Sequence, residues 1–165
     1  MARKQKPPVT PALRVLRAAK IDLTLCPYAY VPRGGARASA AALGVPLSSV
    51  VKTLVMENTA TKKPLLVLMH GDRGVSTRQL ARALGVKSIG PCTPDQATRH
   101  TGYLVGGTSP FGTRKSLPVY IERTILDLEQ LWINAGKRGL LVRITPADLA
   151  AILSPIPVSV ARDNL

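Results

Sequence analysis

Two stretches of nearly unbroken apolar character dominate the chain, Val50–Met56 (VVKTLVM) and Leu65–Met69 (LLVLM). Such runs predict strands covered on both faces, with the polar segment Asn58–Pro64 turning the chain between them. Alternation of Ile21, Leu23 and Leu25 with Asp22 and Thr24 predicts a half-buried strand leading into Cys26-Pro27-Tyr28. Tyr103–Val105, Val119–Ile121, Leu131–Asn134 and Leu140–Ile144 read as further strands, the last two joined by a turn over Ala135–Gly139. Helix signals punctuate these runs. Thr10-Pro11 is an N-cap followed by proline at the first helical position, opening a helix with Leu13 and Leu16 inward that ends near Lys20. Ser76 caps Thr77–Leu84, Thr93-Pro94-Asp95-Gln96 has the capping-box pattern, and Thr145-Pro146 opens a last helix through Leu153. Arg33–Arg37 reads as a basic, glycine-containing loop before a small-residue helix, Ala38–Leu43. Ala-Leu-Gly-Val occurs at Ala42–Val45 and at Ala83–Val86, in each case as a helix end with glycine in the left-handed position. Helices mixed with at least seven strands predict one α+β domain around a mixed sheet.

Length and composition fit that picture. A chain of 165 residues with 45% hydrophobic content suffices for a single core and excludes a disordered protein. No apolar run approaches the roughly 20 residues of a membrane span. Two cysteines make no disulfide framework, and neither belongs to a zinc-ligand spacing. A soluble, cytoplasmic protein of a reducing compartment, without metal or cofactor, is the expectation. Charge changes the picture more. Lys and Arg number 23 against 9 Asp and Glu, a formal net charge of +14, which favours a polyanionic partner. With only 4% aromatic residues, phosphate contact is expected rather than base stacking. Residues 1–9 (MARKQKPPV) read as a flexible basic arm ahead of the domain at 10–165.

Three features could carry chemistry. Lys52 lies inside VVKTLVM, on the strand face of Val50, Leu54 and Met56. It is either a desolvated ammonium with a shifted pKa or a lysine that extends its head into water. The segment Thr101–Gly112 (TGYLVGGTSPFG) sets Gly106-Gly107 after a strand-like run. Such a loop could bring exposed amides against a ligand, or could simply be a tight bend. Asn134-Ala135-Gly136-Lys137-Arg138-Gly139 is either a solvated β-turn or a phosphate contact with Arg138 as its fork. Nothing in the sequence places Cys92 beside His100 as a thiol–imidazole pair, and His70 reads as a packed histidine. There is no Gly-x-Ser-x-Gly elbow.

Val51-Lys52-Thr53-Leu54, Thr101–Gly112 and Gly136-Lys137-Arg138-Gly139-Leu140, in that order, resemble the YbaK/prolyl-tRNA synthetase-associated editing family. Tyr28 falls where members of that family carry a tyrosine, and the similarity runs from about Pro11 to Asp163. The resemblance implies a mixed, barrel-like sheet surrounded by helices. It also implies a trans-acting aminoacyl-tRNA deacylase, an ester hydrolase that clears misacylated tRNA(Pro), most often Cys-tRNA(Pro). Its partners would be the tRNA acceptor stem and prolyl-tRNA synthetase. By the same resemblance Lys52, Gly106 and Gly107 would be catalytic, with Lys52 orienting the ester or a terminal phosphate and loop amides stabilising developing charge. Tyr28, Thr53, Thr108, Ser109, Pro110, Asn134, Gly136, Lys137 and Arg138 would bind substrate. The sequence departs from the family at Arg33–Arg37, at Asn134-Ala135 and at Leu141. An alanine-specific or other small-residue deacylase therefore stays open, as does a non-catalytic tRNA- or synthetase-binding module.

Overall fold

The helices begin and end where side chains and glycines satisfy their terminal backbone groups. The computed structural model describes residues 8–163, so most of the expected N-terminal arm lies outside the described residues. Thr10 Oγ1 accepts from the amide of Leu13 at 3.0 Å and starts α1 (Pro11–Ala18). Ser76 does the same for α3 (Thr77–Leu84), Thr93 for α4 (Pro94–Thr101) and Thr145 for α5 (Pro146–Leu153). At α4 the capping box is complete, with Gln96 Oε1 accepting from the Thr93 amide at 2.8 Å. Each such cap is worth about 1 kcal/mol. Gly44 and Gly85, the glycines of the two Ala-Leu-Gly-Val copies, end α2 (Gly35–Leu43) and α3 at φ 67° and 68°. The helix α2 takes in three residues of the expected Arg33–Arg37 loop.

Among the described residues ten strands accompany the five α-helices: β1 (Thr24–Pro27), β2 (Val50–Asn58), β3 (Pro64–His70), β4 (Arg73–Val75), β5 (Ile89–Pro91), β6 (Val119–Glu122), β7 (Leu131–Lys137), β8 (Leu140–Ile144), β9 (Ile156–Val158) and β10 (Ala161–Asp163). The main sheet is mixed and runs β1-β8-β7-β2-β3-β6-β9, with β5 added to β2; β10 and β4 form a separate pair. The antiparallel hairpin β2–β3 is its centre, in register from Val51 opposite His70 to Glu57 opposite Pro64. Both faces of that hairpin are covered, as the unbroken apolar runs require. Val51, Leu66 and Leu68 pack with Leu13, Leu16, Phe111 and Ile121 on one side. Met56, Val67 and Met69 pack with Leu80, Ile89 and Val160 on the other.

Two expected elements take another form. Tyr103–Val105 is not a strand. Gly102 turns the chain at φ 81° after α4, the Tyr103 amide donates to Thr101 Oγ1 at 3.1 Å, and the Gly107 amide closes a turn onto Leu104 O at 2.8 Å. The expected turn over Ala135–Gly139 is mostly strand: β7 continues to Lys137, and Arg138-Gly139 alone reverse the chain. A bulge between Asn134 and Lys137 makes this possible, because Asn134 Oδ1 accepts from the amides of Gly136 and Lys137 at 2.7 and 3.1 Å.

Candidate functional site

The hydrogen-bond ladder beside β2 has a gap. On the edge away from β3, β2 pairs with β7 only at Val50 and Val51, and with β5 only from Met56 to Asn58. Val50 O accepts from Gly71 and the Asn58 amide donates to Lys63 O, so even-numbered residues of β2 bond toward β3. By the alternation of an antiparallel ladder, the backbone N–H and C=O of Thr53 face the gap. A pocket of about 710 Å³ opens there, with walls that include Lys52, Thr53, Tyr30, Cys92 and Ala97. Thr53 Oγ1 is buried and has no hydrogen-bond partner in the protein among the described residues. Buried hydroxyls are normally satisfied, which makes this one an exception among the described residues.

Lys52 lines the same pocket and is half-buried. Its ammonium donates to the carbonyl of Arg73 at 2.5 Å, which leaves two of its three N–H donors free. Burial lowers its pKa, opposed by Asp72 and reinforced by Arg162. Its head is half-buried and bound to a backbone carbonyl, between the two readings the sequence leaves open.

The other two motifs meet above the gap. Asn134 Nδ2 donates to Gly106 O at 3.0 Å, and Arg138 Nε donates to Val105 O at 2.9 Å. The Arg138 guanidinium also lies 5.3 Å from the centroid of the Tyr30 ring. Gly107 packs so closely that a Cβ there would lie 2.9 Å from the Arg138 amide nitrogen. Tyr28, which also lines the pocket, donates its amide to Gly139 O at 2.9 Å, and burial raises the pKa of its hydroxyl. Residues 28–30, 104–108 and 134–139 thus form one rim.

Individual residues of that rim differ in what they present. Tyr28, Lys52, Thr53, Gly106, Thr108, Asn134 and Arg138 line the pocket. Ser109 is fully buried, its Oγ accepting from the Phe111 amide at 3.2 Å, and Pro110 is buried beside it. Gly136 and Lys137 build the bulge beneath Asn134 and do not line the pocket. The Gly107 amide is used in its own turn, whereas those of Gly106 and Thr108 make no hydrogen bond to the protein among the described residues. Tyr30 is the residue the sequence reading passed over; its signal was the Tyr-x-Tyr spacing, which puts it on the same side of an extended chain as Tyr28.

The remaining candidates have other partners. Cys92 Sγ lies 3.9 Å from Glu57 Oε2, and burial together with that carboxylate raises the thiol pKa. His100 Nδ1 accepts from Lys115 Nζ at 3.1 Å. His70 is buried between Ser48 O, 2.6 Å from Nδ1, and Thr124 Oγ1, 2.7 Å from Nε2. The carbonyl can only accept, so Nδ1 carries a proton. No helix among the described residues is long and apolar enough to cross a membrane.

The sequence profile of the aminoacyl-tRNA editing domain matches residues 32–152, which hold the whole pocket except Tyr28, Tyr30 and Val31. A protein of Enterococcus faecalis provisionally named Cys-tRNA(Pro)/Cys-tRNA(Cys) deacylase EbsC is 29% identical over 153 residues, covering 92% of this chain and 93% of its own. The proline–tRNA ligase of Nitratidesulfovibrio vulgaris strain Hildenborough is 33% identical over 114 residues, 67% of this chain but only 19% of the ligase. Among solved structures, a protein provisionally described as a trans-editing enzyme for prolyl-tRNA synthetase superposes with a TM-score of 0.79 at 23% identity, over 94% of this chain and 99% of the other. A hypothetical protein superposes with a TM-score of 0.84 at 20% identity, over 93% of this chain and all of the other.

Proposed function

The chain belongs to the aminoacyl-tRNA editing domain family, and on that premise we propose that it is a trans-acting deacylase of misacylated tRNA(Pro), with Cys-tRNA(Pro) as its first candidate substrate. The observation that carries this reading is the gap beside β2, where an unpartnered hydroxyl, backbone groups that face the gap and a half-buried lysine line the same pocket as Gly106 and Thr108.

An aminoacyl ester is already activated, so its cleavage needs placement and charge stabilisation above all. The carbonyl of Thr53 is placed to accept from the substrate's ammonium, and Thr53 Oγ1 is available as a second polar contact. The free amides of Gly106 and Thr108 suit the oxygen that becomes negative as the ester carbon turns tetrahedral. Lys52 supplies a fixed positive charge for the ester or the terminal phosphate, held in place by Arg73 O. Tyr30, Arg138 and Asn134 brace the rim and stay in place during the reaction.

With a cysteinyl substrate the nucleophile is the substrate's own thiolate. A C–S bond forms as the bond from the carbonyl carbon to the ribose oxygen breaks; that oxygen takes a proton, and cysteine leaves as a thiolactone that water later opens. For an alanyl or seryl substrate, water would attack the same carbon. Editing of this kind is needed because a synthetase pocket separates amino acids of similar size by only about 1–3 kcal/mol.

A deacylation panel with Cys-, Ala-, Ser- and Pro-tRNA(Pro) tests the reading. Release of cysteine with Pro-tRNA(Pro) spared is the expected result. Release of alanine alone reassigns the substrate within the class. Release of none of the four identifies a binding module that kept the fold.

A further inference from the structure

We propose that the groove between α3 and the start of β5, carrying Arg78, Arg82 and Lys87, docks the phosphate backbone of the RNA whose 3′ end enters the pocket. This rests on the deacylase reading for the identity of the RNA, but not for the existence of the surface. Thr77 and Ser88 add hydroxyls to the same groove.

Local structure accounts for Arg82, which lies in the last turn of α3 where the macrodipole favours a cation, but not for Arg78 or Lys87. Arg78 stands in the first turn of α3, where the helix macrodipole is positive and a cation is unfavourable. Arg82 follows four residues later, and like charges at that spacing repel on a helix surface. The first turn of α3 has no acidic residue to offset them. Among the described residues the ion pairs are Lys62–Glu57 and Arg73–Asp163, neither of which involves this groove. All three cations are exposed, so none is held by packing. Three exposed cations with no acidic partner among the described residues suit a ligand that brings several negative charges at once.

Position selects RNA over an acidic protein as that ligand. Ser88 and Ile89 line the groove, and Pro91 and Cys92 line the pocket. The three-residue strand β5 joins them. At about 3.3 Å per residue the two sites lie on the order of 10 Å apart along the chain. A nucleic acid with its terminal ribose in the pocket must carry its next phosphates past one wall of it, and this groove is a cationic surface next to the wall at Pro91 and Cys92. Binding here is read through phosphates and is independent of sequence.

The test compares Arg78→Ala/Arg82→Ala/Lys87→Ala with a control that removes three cations elsewhere, Arg14→Ala/Arg17→Ala/Arg123→Ala. Alanine is the best helix former, so α3 should persist, and unchanged circular dichroism and melting check this. Affinity for an uncharged tRNA(Pro) transcript is measured across a salt titration. The groove variant should bind at least tenfold more weakly near 0.1 M salt, with a log–log slope shallower by about 2–3, since each neutralised phosphate contributes about 0.7–0.9. The control should keep the parental slope to within about 1. In parallel, cleavage of an aminoacylated CCA trinucleotide should be unaffected in the groove variant, because that substrate has no body to reach the groove. Parental tRNA affinity and slope in the groove variant would overturn the proposal, as would equal losses in the control or a parent that binds no tRNA. A parent that binds tRNA through the groove yet deacylates nothing would leave this surface standing and remove the deacylase reading.

Discussion

The side-chain amide of Asn134 bridges two loops: its nitrogen donates to Gly106 O at 3.0 Å, and its oxygen accepts from the amides of Gly136 and Lys137. All the hydrogen bonds it makes are to backbone, and the one to Gly106 O fixes the Gly106–Gly107 peptide of the loop. Arg138 grips the preceding carbonyl, that of Val105, in the same way.

Asn134→Asp should retain the two contacts to Gly136 and Lys137 while losing the donor to Gly106. We expect modest destabilisation, about 1 kcal/mol for one lost hydrogen bond. Single-turnover deacylation should fall much further, by about 10–100-fold, because small misplacements of a catalytic loop have effects of that size. A variant that loses stability and rate in the same small proportion would show Asn134 to be ordinary packing.

Gly107→Ala probes the same junction from the other side. The new Cβ would sit 2.9 Å from the backbone nitrogen of Arg138, which cannot rotate away as a side chain would. Forced separation of the two loops should lower stability by about 1–3 kcal/mol and abolish most activity. Urea melts and deacylation assays together check this; parental values in both would mean that the loops part without consequence.

The thiols should be dispensable for chemistry. Cys92 faces Glu57 and its pKa is raised, so it is a poor thiolate source, and Cys26 donates weakly to Thr24 O at 3.6 Å. Cys26→Ser/Cys92→Ser should keep the single-turnover rate within a fewfold of the parent. A thousandfold loss in a folded double variant would give the protein its own nucleophile and remove the substrate-thiol mechanism.

What could be read from the sequence follows from how local each signal is. The β2–β3 hairpin and the caps at Thr10, Ser76, Thr93 and Thr145 rest on neighbouring residues, and the structure has them where the pattern places them. β5 is three residues ending in proline, Ile-Gly-Pro, and becomes a strand only because Met56–Asn58 offers it an edge. The turn at Tyr103–Val105 depends on contacts to Thr101 and on Tyr103 Oη donating to Phe111 O at 2.6 Å, so apolar composition alone misassigned it. For the site, Lys52 was legible as a charge out of place in an apolar strand. The gap that exposes Thr53 was not, because it depends on where β7 and β5 stop pairing with β2. The carbonyls of Gly106 and Val105, which Asn134 and Arg138 hold, lie 28 and 33 residues away, beyond any local pattern.

Lys52→Ala carries the most weight. The ammonium is held by Arg73 O on a rigid strand, so little rearrangement is needed for it to meet developing charge. Loss of one preorganised electrostatic contact commonly costs about 10²–10³ in rate, and we expect that loss in single-turnover deacylation with tRNA affinity nearly unchanged. Lys52→Arg should rescue poorly, since a planar guanidinium cannot take the place of a compact ammonium. The fold should survive, and stability gives an independent check on the environment. Burial lowers the folded-state pKa of Lys52 below its ordinary 10.5, so in that interval the unfolded chain binds more protons and stability rises with pH. Below the folded value the unfavourable contribution is fully present. The isosteric Lys52→Met variant, which lacks that charge, should therefore match or exceed the parent in urea midpoint near pH 7. Its advantage should shrink as pH approaches 10.5. A Lys52→Ala protein that deacylates at the parental rate would make Lys52 a structural residue, whereas a pH-independent gap between Lys52→Met and the parent would show its ammonium to be fully solvated.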